Sequence, residues 1–231
     1  MLTGLITNTS GSAEVFGYDI FEEMHEVRQF LGVCPQHDVL FEMLTPMEHL
    51  SIFCDFKGID PRTQLEDCKK IIRDVDLEGS ETKLAKELSG GSKRKLSVAI
   101  ALVGGSKLVL LDEPTSGMDL SARRKLWNML KNQKQDRIVI LTTHYMDEAD
   151  ILGDRIGIMA EGGLICLGSS LFLKNRFGVG YNLKMVKTKK DQNQKVKEHL
   201  RNKLGQEVAV ISEVSSEITF RVPNKYSDKF Q

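Results

Sequence analysis

The sequence lacks the features that would mark a disulfide-bonded, zinc-binding or membrane-spanning chain. Its four cysteines lie far apart, with no CxxC pair, at positions 34, 54, 68 and 166. This spacing predicts reduced cytosolic thiols rather than a disulfide framework or a zinc site. No secretory-type pattern opens the sequence, and no apolar run approaches the ~20 residues that a membrane-spanning helix needs. We therefore expect any link to a membrane to come through a partner or through another part of the protein.

An excess of charge of one sign is also absent. The 32 Lys and Arg residues balance 32 Asp and Glu residues, and the formal net charge is zero. This balance gives no reason to expect a nucleic acid or an anionic membrane as the main partner. Residues 182–204 form a local basic stretch, for which a solvated helix face is the favoured interpretation over a binding patch.

Two short apolar runs end in residues that can carry chemistry. Residues 108–111 predict a strand that is buried on both faces in a parallel sheet, and Asp112 and Glu113 follow directly. Residues 138–141 predict a second strand, after which the chain reaches His144. The helix-like segment between them would cross over, so both strands would end at the same edge of the sheet. Open α/β sheets bind ligands at this edge, which favours metal-phosphate chemistry over a solvated turn.

A glycine pair opens a third stretch. Ser89, Gly90 and Gly91 precede a helix that the pattern predicts over residues 92–103. Glycines allow main-chain N–H groups to approach a phosphate closely, and the N-terminus of a helix carries partial positive charge. Alone, such a pattern is most often a glycine-rich helix start. Its position 112 − 89 = 23 residues before Asp112 favours a phosphate contact instead.

Together these stretches closely resemble the nucleotide-binding domain of ABC transporters. Their residues are similar to those of the A subfamily, whose members mostly move lipids. LSGGS is similar to the signature, VLLDEP to the Walker B strand, SGMD to the D-loop, and VCPQHDVLF to the Q-loop around Gln36; His144 matches the switch histidine. Five motifs thus follow the family's order. The stretch from DEADILGD to GYNL resembles the subfamily's exit from the domain.

The resemblance implies a hydrolytic site for ATP and Mg²⁺. Asp112 would hold the metal ion through water, and Gln36 would be a second contact to Mg²⁺ through water. Glu113 would orient and polarise the attacking water, since phosphoryl transfer depends mainly on positioning and charge stabilisation. His144 would contact the γ-phosphate.

The resemblance also implies a second nucleotide-binding domain, in the same polypeptide or in trans. Ser89, Gly90 and Gly91 would cap the γ-phosphate of ATP held by that partner, and Asp119 would communicate across the dimer. Further expected partners are the transmembrane domains and, through them, the transported lipid, but no nucleic acid. The expected location is the cytosolic face of a membrane, as part of an integral membrane transporter.

The sequence departs from the family at its beginning. P-loop NTPases carry GxxxxGK[ST], whose N–H groups and Lys hold the phosphates, and no stretch matches this motif. Residues 1–20 resemble the end of the helix that follows this Walker A loop and the strand after it. We therefore expect an N-terminally truncated domain that is an ATPase by family but is inactive as this chain alone.

The expected fold is α/β, with a P-loop NTPase-like parallel sheet core, a helical subdomain at about residues 44–103 and a partial ferredoxin-like α+β tail. We expect a nucleotide-binding domain without Walker A at 1–180 and a partial regulatory domain at 181–231. Thr45 and Glu48 predict the first helix start of the subdomain, as in a capping box. The tail follows a β-α-β-β pattern, which is most of a ferredoxin-like unit.

Two other hypotheses stay open. One is a soluble ABC ATPase, and its chromosome-tethering type would insert a long coiled coil between the Q-loop and the signature. In this sequence only 88 − 36 = 52 residues separate Gln36 from Leu88, and they contain no sustained heptads. One of the ribosome-acting type would lack the subfamily's exit sequence. Alternatively, the chain is a non-catalytic short form or decayed copy that acts in trans through its signature loop.

Overall fold

The computed structural model describes residues 1–178, 180–186, 193–205, 207–214, 217–223 and 225–226. Contacts within the chain divide it into two compact units, Met1–Leu152 and Gly153–Gln231. This division lies earlier than the predicted domain boundary at residue 180, which stays a prediction. Part of the basic stretch, residues 187–192, and the predicted end of the tail, residues 227–231, lie outside the described residues.

The first unit alternates strands and helices. Its strands are β1 (Glu14–Val15), β2 (Tyr18–Asp19), β3 (Leu31–Cys34), β4 (Leu108–Asp112) and β5 (Ile138–Thr142). Its α-helices are α1 (Met24–Phe30), α2 (Pro46–Phe56), α3 (Pro61–Asp74), α4 (Gly90–Leu102), α5 (Leu120–Gln133) and α6 (Met146–Leu152). Short 3₁₀ turns occupy Ala85–Glu87 and Lys134–Asp136.

A parallel sheet with the strand order β3-β4-β5 forms the core of the first unit. Cys34 and Leu141 are the neighbours of Leu111 on the two sides of the central strand. Cys34 and Leu111 are buried, as expected for a strand that is covered on both faces. α5 provides the crossover from β4 to β5, so the predicted unit of strand, helix and strand is confirmed.

β5 is an edge strand within the described residues, where it pairs only with β4. Ile138 and Ile140 are 54% and 44% exposed, whereas Val139 and Leu141 pack against the core. The alternation arises because successive side chains of a strand point to opposite faces. One face of β5 is therefore more open than its continuous apolar run predicts.

α2 and α3 form the helical part that follows β3. Thr45 Oγ1 accepts a hydrogen bond of 3.3 Å from the N–H of Glu48, and the Glu48 carboxylate accepts one of 2.7 Å from the N–H of Thr45. This capping box confirms the predicted start of α2, and such a cap contributes about 1 kcal/mol. Leu50 and Ile72 are buried in the core shared by α2, α3 and α4. All four cysteines are free.

The second unit contains a hairpin and a separate antiparallel sheet. The hairpin pairs β6 (Ile156–Ala160) with β7 (Gly163–Gly168), and α7 (Ser170–Phe177) follows. The sheet has the order β8-β10-β9, formed by β8 (Tyr181–Val186), β9 (Ala209–Val214) and β10 (Glu217–Val222), with α8 (Asn193–Leu204) between β8 and β9. The β-α-β-β order agrees with the prediction for the tail. Nowhere in the described ranges is a helix both long and apolar enough to span a bilayer.

Candidate functional site

The turn after β4 carries the two predicted carboxylates. Asp112 is the last residue of β4, and its Oδ1 accepts a hydrogen bond from the hydroxyl of Thr142, the last residue of β5. Glu113 follows with a φ of 46°, in the left-handed region that non-glycine residues seldom adopt. Its N–H donates to the main-chain oxygen of Thr142 at 3.1 Å, which holds this strained turn against the neighbouring strand.

β5 brings the predicted histidine to the same edge of the sheet. His144 Nδ1 lies 3.1 Å from Oε1 of Glu113, within hydrogen-bond distance. The side chain of His144 is 56% exposed and that of Glu113 is 25% exposed, so a ligand can reach both from solvent. The structure thus places the carboxylate of Glu113 beside the imidazole of His144 at a point that a ligand can reach.

Two further side chains support the loop that carries His144. The ring of Tyr145 lies 4.0 Å from the imidazole of His144 between centroids, with an angle of 40° between the planes. The guanidinium carbon of Arg123, on α5, lies 3.8 Å from the centroid of the Tyr145 ring. Such a cation–π contact is attractive, so α5 helps to hold the loop in place. Neither Arg123 nor Tyr145 was predicted from the sequence.

Gln36 lies on the loop after β3, two residues beyond the end of the strand at Cys34, and it is exposed. Cys34 is paired with Leu111 in the sheet, one residue before Asp112. The parallel arrangement therefore brings the loop of Gln36 beside the turn of the two carboxylates, as the sequence predicts for strands that end at one edge.

A buried arginine that was not predicted from the sequence joins these two loops. Arg94, on α4, is 3% exposed. Its Nη1 donates to the main-chain oxygen of Pro35 at 2.7 Å. Its Nη2 donates to the main-chain oxygens of Asp112 at 2.5 Å and Glu113 at 2.9 Å. Lysines flank it on both sides in the sequence, so the local pattern gives no signal that this one basic residue is buried.

The predicted phosphate-binding stretch lies at the start of α4. Ser89 is the N-cap, and its Oγ accepts a hydrogen bond of 3.2 Å from the N–H of Ser92. The helix begins at Gly90, two residues before the predicted start, so Gly90 and Gly91 belong to its first turn, where N–H groups have no intrahelical partner. A Cβ added at either glycine would meet no atom within 4 Å, and neither has a positive φ. Nothing in the described chain requires glycine there.

Asp119 is the N-cap of α5. Its Oδ1 accepts hydrogen bonds from the N–H groups of Ser121 at 2.8 Å and Ala122 at 2.9 Å. These main-chain hydrogen bonds, above all that from Ala122, lower the pKa of the Asp119 carboxyl below its ordinary value. Helix capping explains this geometry, and a role for Asp119 across a dimer stays a prediction.

The sheet edge suits a metal ion that binds together with phosphate and water. Within the described part of the chain, no three or more His, Cys, Asp or Glu side chains gather as a metal site. Mg²⁺ in nucleotide sites takes one or two protein oxygens and completes its shell with phosphates and water. Asp112 and Gln36 fit that donor set. The nearby thiol of Cys34 does not compete as a thiolate, because burial raises its pKa to about 11.

Comparison with known proteins shows which family the chain belongs to. The sequence profile described as "ABC transporter" matches residues 1–116. The chain belongs to the ABC transporter family. It is 46% identical over 235 residues to the phospholipid-transporting ATPase ABCA3 of Homo sapiens, a match that covers 100% of the chain and 14% of the relative. It is 51% identical over 187 residues to the human ATP-binding cassette sub-family A member 2, across 81% of the chain and 8% of that protein.

A relative from a distant organism agrees with these two. ABC transporter A family member 5 of Dictyostelium discoideum is 46% identical over 228 residues, which are 96% of the chain and 14% of the relative. All three relatives bear A-subfamily names, which confirms the resemblance stated above. They support the transporter interpretation rather than a soluble ABC ATPase. The chain spans 8% to 14% of the length of these relatives.

Solved structures agree on the fold. An ATP-binding subunit of an ABC transporter superimposes with a TM-score of 0.69 at 25% identity, over 77% of this chain and 74% of that one. A dimeric ATP-binding cassette bound to ADP and Pi superimposes with a TM-score of 0.65 at 22% identity, over 72% of this chain and 76% of that one. The predicted P-loop NTPase-like α/β fold is therefore confirmed.

Proposed function

We propose that this chain is the ATP-binding and ATP-hydrolysing module of an A-subfamily ABC transporter that moves lipid across a membrane. The proposal is carried by the pair of Glu113 and His144, 3.1 Å apart at the ends of two neighbouring parallel strands. A relative named as a phospholipid-transporting ATPase supports lipid as the transported class. The module would act at the cytosolic face of a membrane, joined to transmembrane domains.

In this proposal Glu113 activates the attacking water. The turn fixes its main chain and His144 holds its carboxylate, so water beside it meets the γ-phosphate in one orientation. Asp112 and Gln36 would hold Mg²⁺, which when bound neutralises charge on the phosphate oxygens. The hydroxyl of Thr142 keeps Asp112 in place for that contact. His144 would also contact the γ-phosphate.

The glycine pair at the start of α4 supports a second role, across a dimer. Glycine in a helix costs about 1 kcal/mol relative to alanine, and nothing in the described chain explains Gly90 and Gly91. A ligand that approaches the main chain closely would explain them. The γ-phosphate of ATP on a second nucleotide-binding domain fits, because helix N-termini bind anions. Ser89 would cap the same phosphate, and Asp119 would communicate across the dimer.

The proposal also assigns a role to each part of the chain. Residues 1–180 would be the nucleotide-binding domain, with the helical subdomain 44–103 facing the transmembrane domains, and 181–231 would be regulatory. Alone, the chain is proposed to be inactive as an ATPase, because no stretch of its sequence provides the P-loop that holds phosphates in cis. Hydrolysis would then require that element from the native-length protein.

ATP hydrolysis by the native-length protein that contains these residues, purified in lipid nanodiscs, tests the proposal. Glu113→Gln keeps the size of the side chain and removes the base, so kcat is expected to fall by about 10² to 10⁴. Nucleotide binding should remain. Glu161→Gln is a matched control, since Glu161 is a turn glutamate that also has a positive φ, of 50°. A wild-type rate in Glu113→Gln would refute the assignment of Glu113.

A second candidate function is a non-catalytic chain that acts in trans through Ser89, Gly90 and Gly91. Gly90 and Gly91, which nothing in the described chain explains, favour this function as much as they favour the first one. A chain with this function would need no P-loop of its own. The purified chain would be mixed with an ATP-loaded family domain that carries a P-loop, and complex formation would be measured by sedimentation. An ATP-dependent complex supports this function. Hydrolysis by the chain without any partner would argue against it.

A further inference from the structure

Arg94 uses every N–H group of its guanidinium inside the first unit. Besides the three hydrogen bonds described above, Nε donates to the main-chain oxygen of Pro114 at 3.0 Å, and Nη1 donates to Oδ1 of Asp38 at 3.1 Å. A guanidinium has five N–H donors, and all five find an acceptor here. Because Arg94 is buried, water cannot replace these hydrogen bonds.

The acceptors of Arg94 belong to two separate loops, and four of the five are main-chain oxygens. Pro35 and Asp38 flank the position of Gln36 on the loop after β3. The other acceptors form the turn that carries Glu113. Hydrogen bonds to main-chain oxygens constrain the backbone itself, so Arg94 links the two loops directly, beyond the pairing of β3 with β4. A residue that only neutralised Asp38 would need one of these contacts.

The same helix begins with its N-cap Ser89, followed by Gly90 and Gly91, and together we call these three residues the signature surface. Arg94 lies one helical turn beyond Gly90, the first residue of α4, and the rest of the helix is largely buried. Ser97, about one turn further, donates from its Oγ to Oδ1 of Asp38 at 2.9 Å, which ties α4 to the first loop a second time. A restraint applied at the N-terminus of α4 is therefore passed to both loops.

We infer that Arg94 is a positioning residue that couples the signature surface to the hydrolytic site of the same chain. The inference rests on the proposed function. When ATP on a partner engages the surface of Ser89, Gly90 and Gly91, α4 is restrained, and Arg94 transfers that restraint to the main chain of Glu113. The position of the Glu113 main chain, and with it the activation of water, then follows the state of α4 through Arg94.

Lysine cannot do what arginine does at this position. Its three donors share one nitrogen, whereas the planar guanidinium spans acceptors on both loops. Arg94→Lys keeps the charge beside Asp38 and removes the link between the loops. We expect kcat to fall about 100-fold, the effect of displacing a reacting group by ~1 Å, with the KM for ATP within about twofold of wild type.

The experiment measures ATP hydrolysis by the native-length protein in nanodiscs, with Arg137→Lys as the matched control. Arg137 is a half-buried arginine that donates to the main-chain oxygen of Leu102 at 3.3 Å, away from both loops. It is expected to keep the wild-type kcat even if its unfolding temperature falls. A wild-type kcat in Arg94→Lys, or an equal loss of kcat in both variants, would overturn the inference.

Amide hydrogen exchange gives a second readout that does not depend on hydrolysis. In Arg94→Lys, peptides covering residues 34–40 and 110–116 are expected to exchange several-fold faster than in the wild type, and in Arg137→Lys they should not change. If the wild-type protein hydrolyses no ATP, the proposed function fails, and exchange alone decides the role of Arg94. Faster exchange in both peptides supports the link between the loops, and unchanged exchange overturns it.

Discussion

The indole Nε1 of Trp127, on α5, donates a hydrogen bond of 2.8 Å to Oε1 of Glu148, on α6, and both side chains are buried. The other carboxylate oxygen of Glu148 is buried without a hydrogen-bond partner among the described residues. This pair fastens α6, which begins two residues after His144, to the crossover helix. The loop of His144 is thus anchored from the interior.

Replacing Trp127 by Phe is expected to destabilise the protein by about 1–3 kcal/mol, because a buried carboxylate would be left with neither oxygen paired. Calorimetric unfolding of the native-length protein measures the change. Glu148→Gln is the control, since its amide oxygen still accepts from the indole, and a smaller loss is expected. If Trp127→Phe unfolds at the wild-type temperature, the hydrogen bond contributes nothing to stability.

Gly90→Ala and Gly91→Ala are expected to move stability and activity in opposite directions. Alanine fits the open space at both positions and favours the helix by up to about 1 kcal/mol. Its methyl group would stand where the partner's phosphate approaches, so ATP-dependent dimerisation and hydrolysis should fall. Gly79→Ala is the control: the position is equally open but has a φ of +77°, so stability should fall while hydrolysis persists. Wild-type hydrolysis in both glycine variants would contradict the role of the signature surface.

The free energy of unfolding should depend on pH because of a buried lysine, Lys57. Lys57 donates to the main-chain oxygen of Val103 at 2.8 Å and to the hydroxyl of Ser106, and burial lowers its pKa from 10.5 to about 8. Between these pH values the unfolded chain keeps a proton that the folded protein has released. The free energy of unfolding should therefore rise with pH across this window, by at most about 1.4 kcal/mol per pH unit.

Lys57→Met isolates this contribution, because it removes the titrating group. Denaturant unfolding of wild type and variant from pH 7 to pH 11 gives the difference in free energy as a function of pH. We expect this difference to shift in favour of the wild type above pH 8. A difference that stays flat through the window would show that the pKa of Lys57 is the same in the folded and unfolded chain.

Gly32→Ala should disrupt the packing of β3 against α4. A Cβ at this position would overlap the main-chain oxygen of Ala101 and lie 2.8 Å from the hydroxyl oxygen of Ser106. Because the obstacle is main chain, strand and helix must separate, at a cost of about 1–3 kcal/mol or more. Gly163→Ala, whose added Cβ meets its nearest atom at 3.6 Å, should unfold close to the wild-type temperature. Equal unfolding temperatures for the two variants would refute this account.

Local signals predicted much of this fold, and distant contacts escaped prediction. Apolar runs predicted the strands at residues 108–111 and 138–141. The capping-box pattern of Thr45 and Glu48 predicted the start of α2. Arg94 could not be found this way, because one of its acceptors lies 59 residues away in the sequence and most are main-chain atoms without a residue signature. The hydrogen bond of Trp127 could not be predicted either, since its polar partner Glu148 lies 21 residues away in the sequence. α4 starts earlier than predicted because Ser89 caps it despite the two glycines.

The position of β5 at the edge of the sheet affects how the protein behaves in solution. Its inner edge is paired with β4, whereas its outer edge is not paired within the described residues, and two isoleucines stand exposed along one face. An uncharged apolar strand edge is a template on which another strand can add. The five residues of β5, which lead to His144, therefore also form an edge that a further strand can extend. The same strand that positions His144 therefore also affects the solubility of the protein.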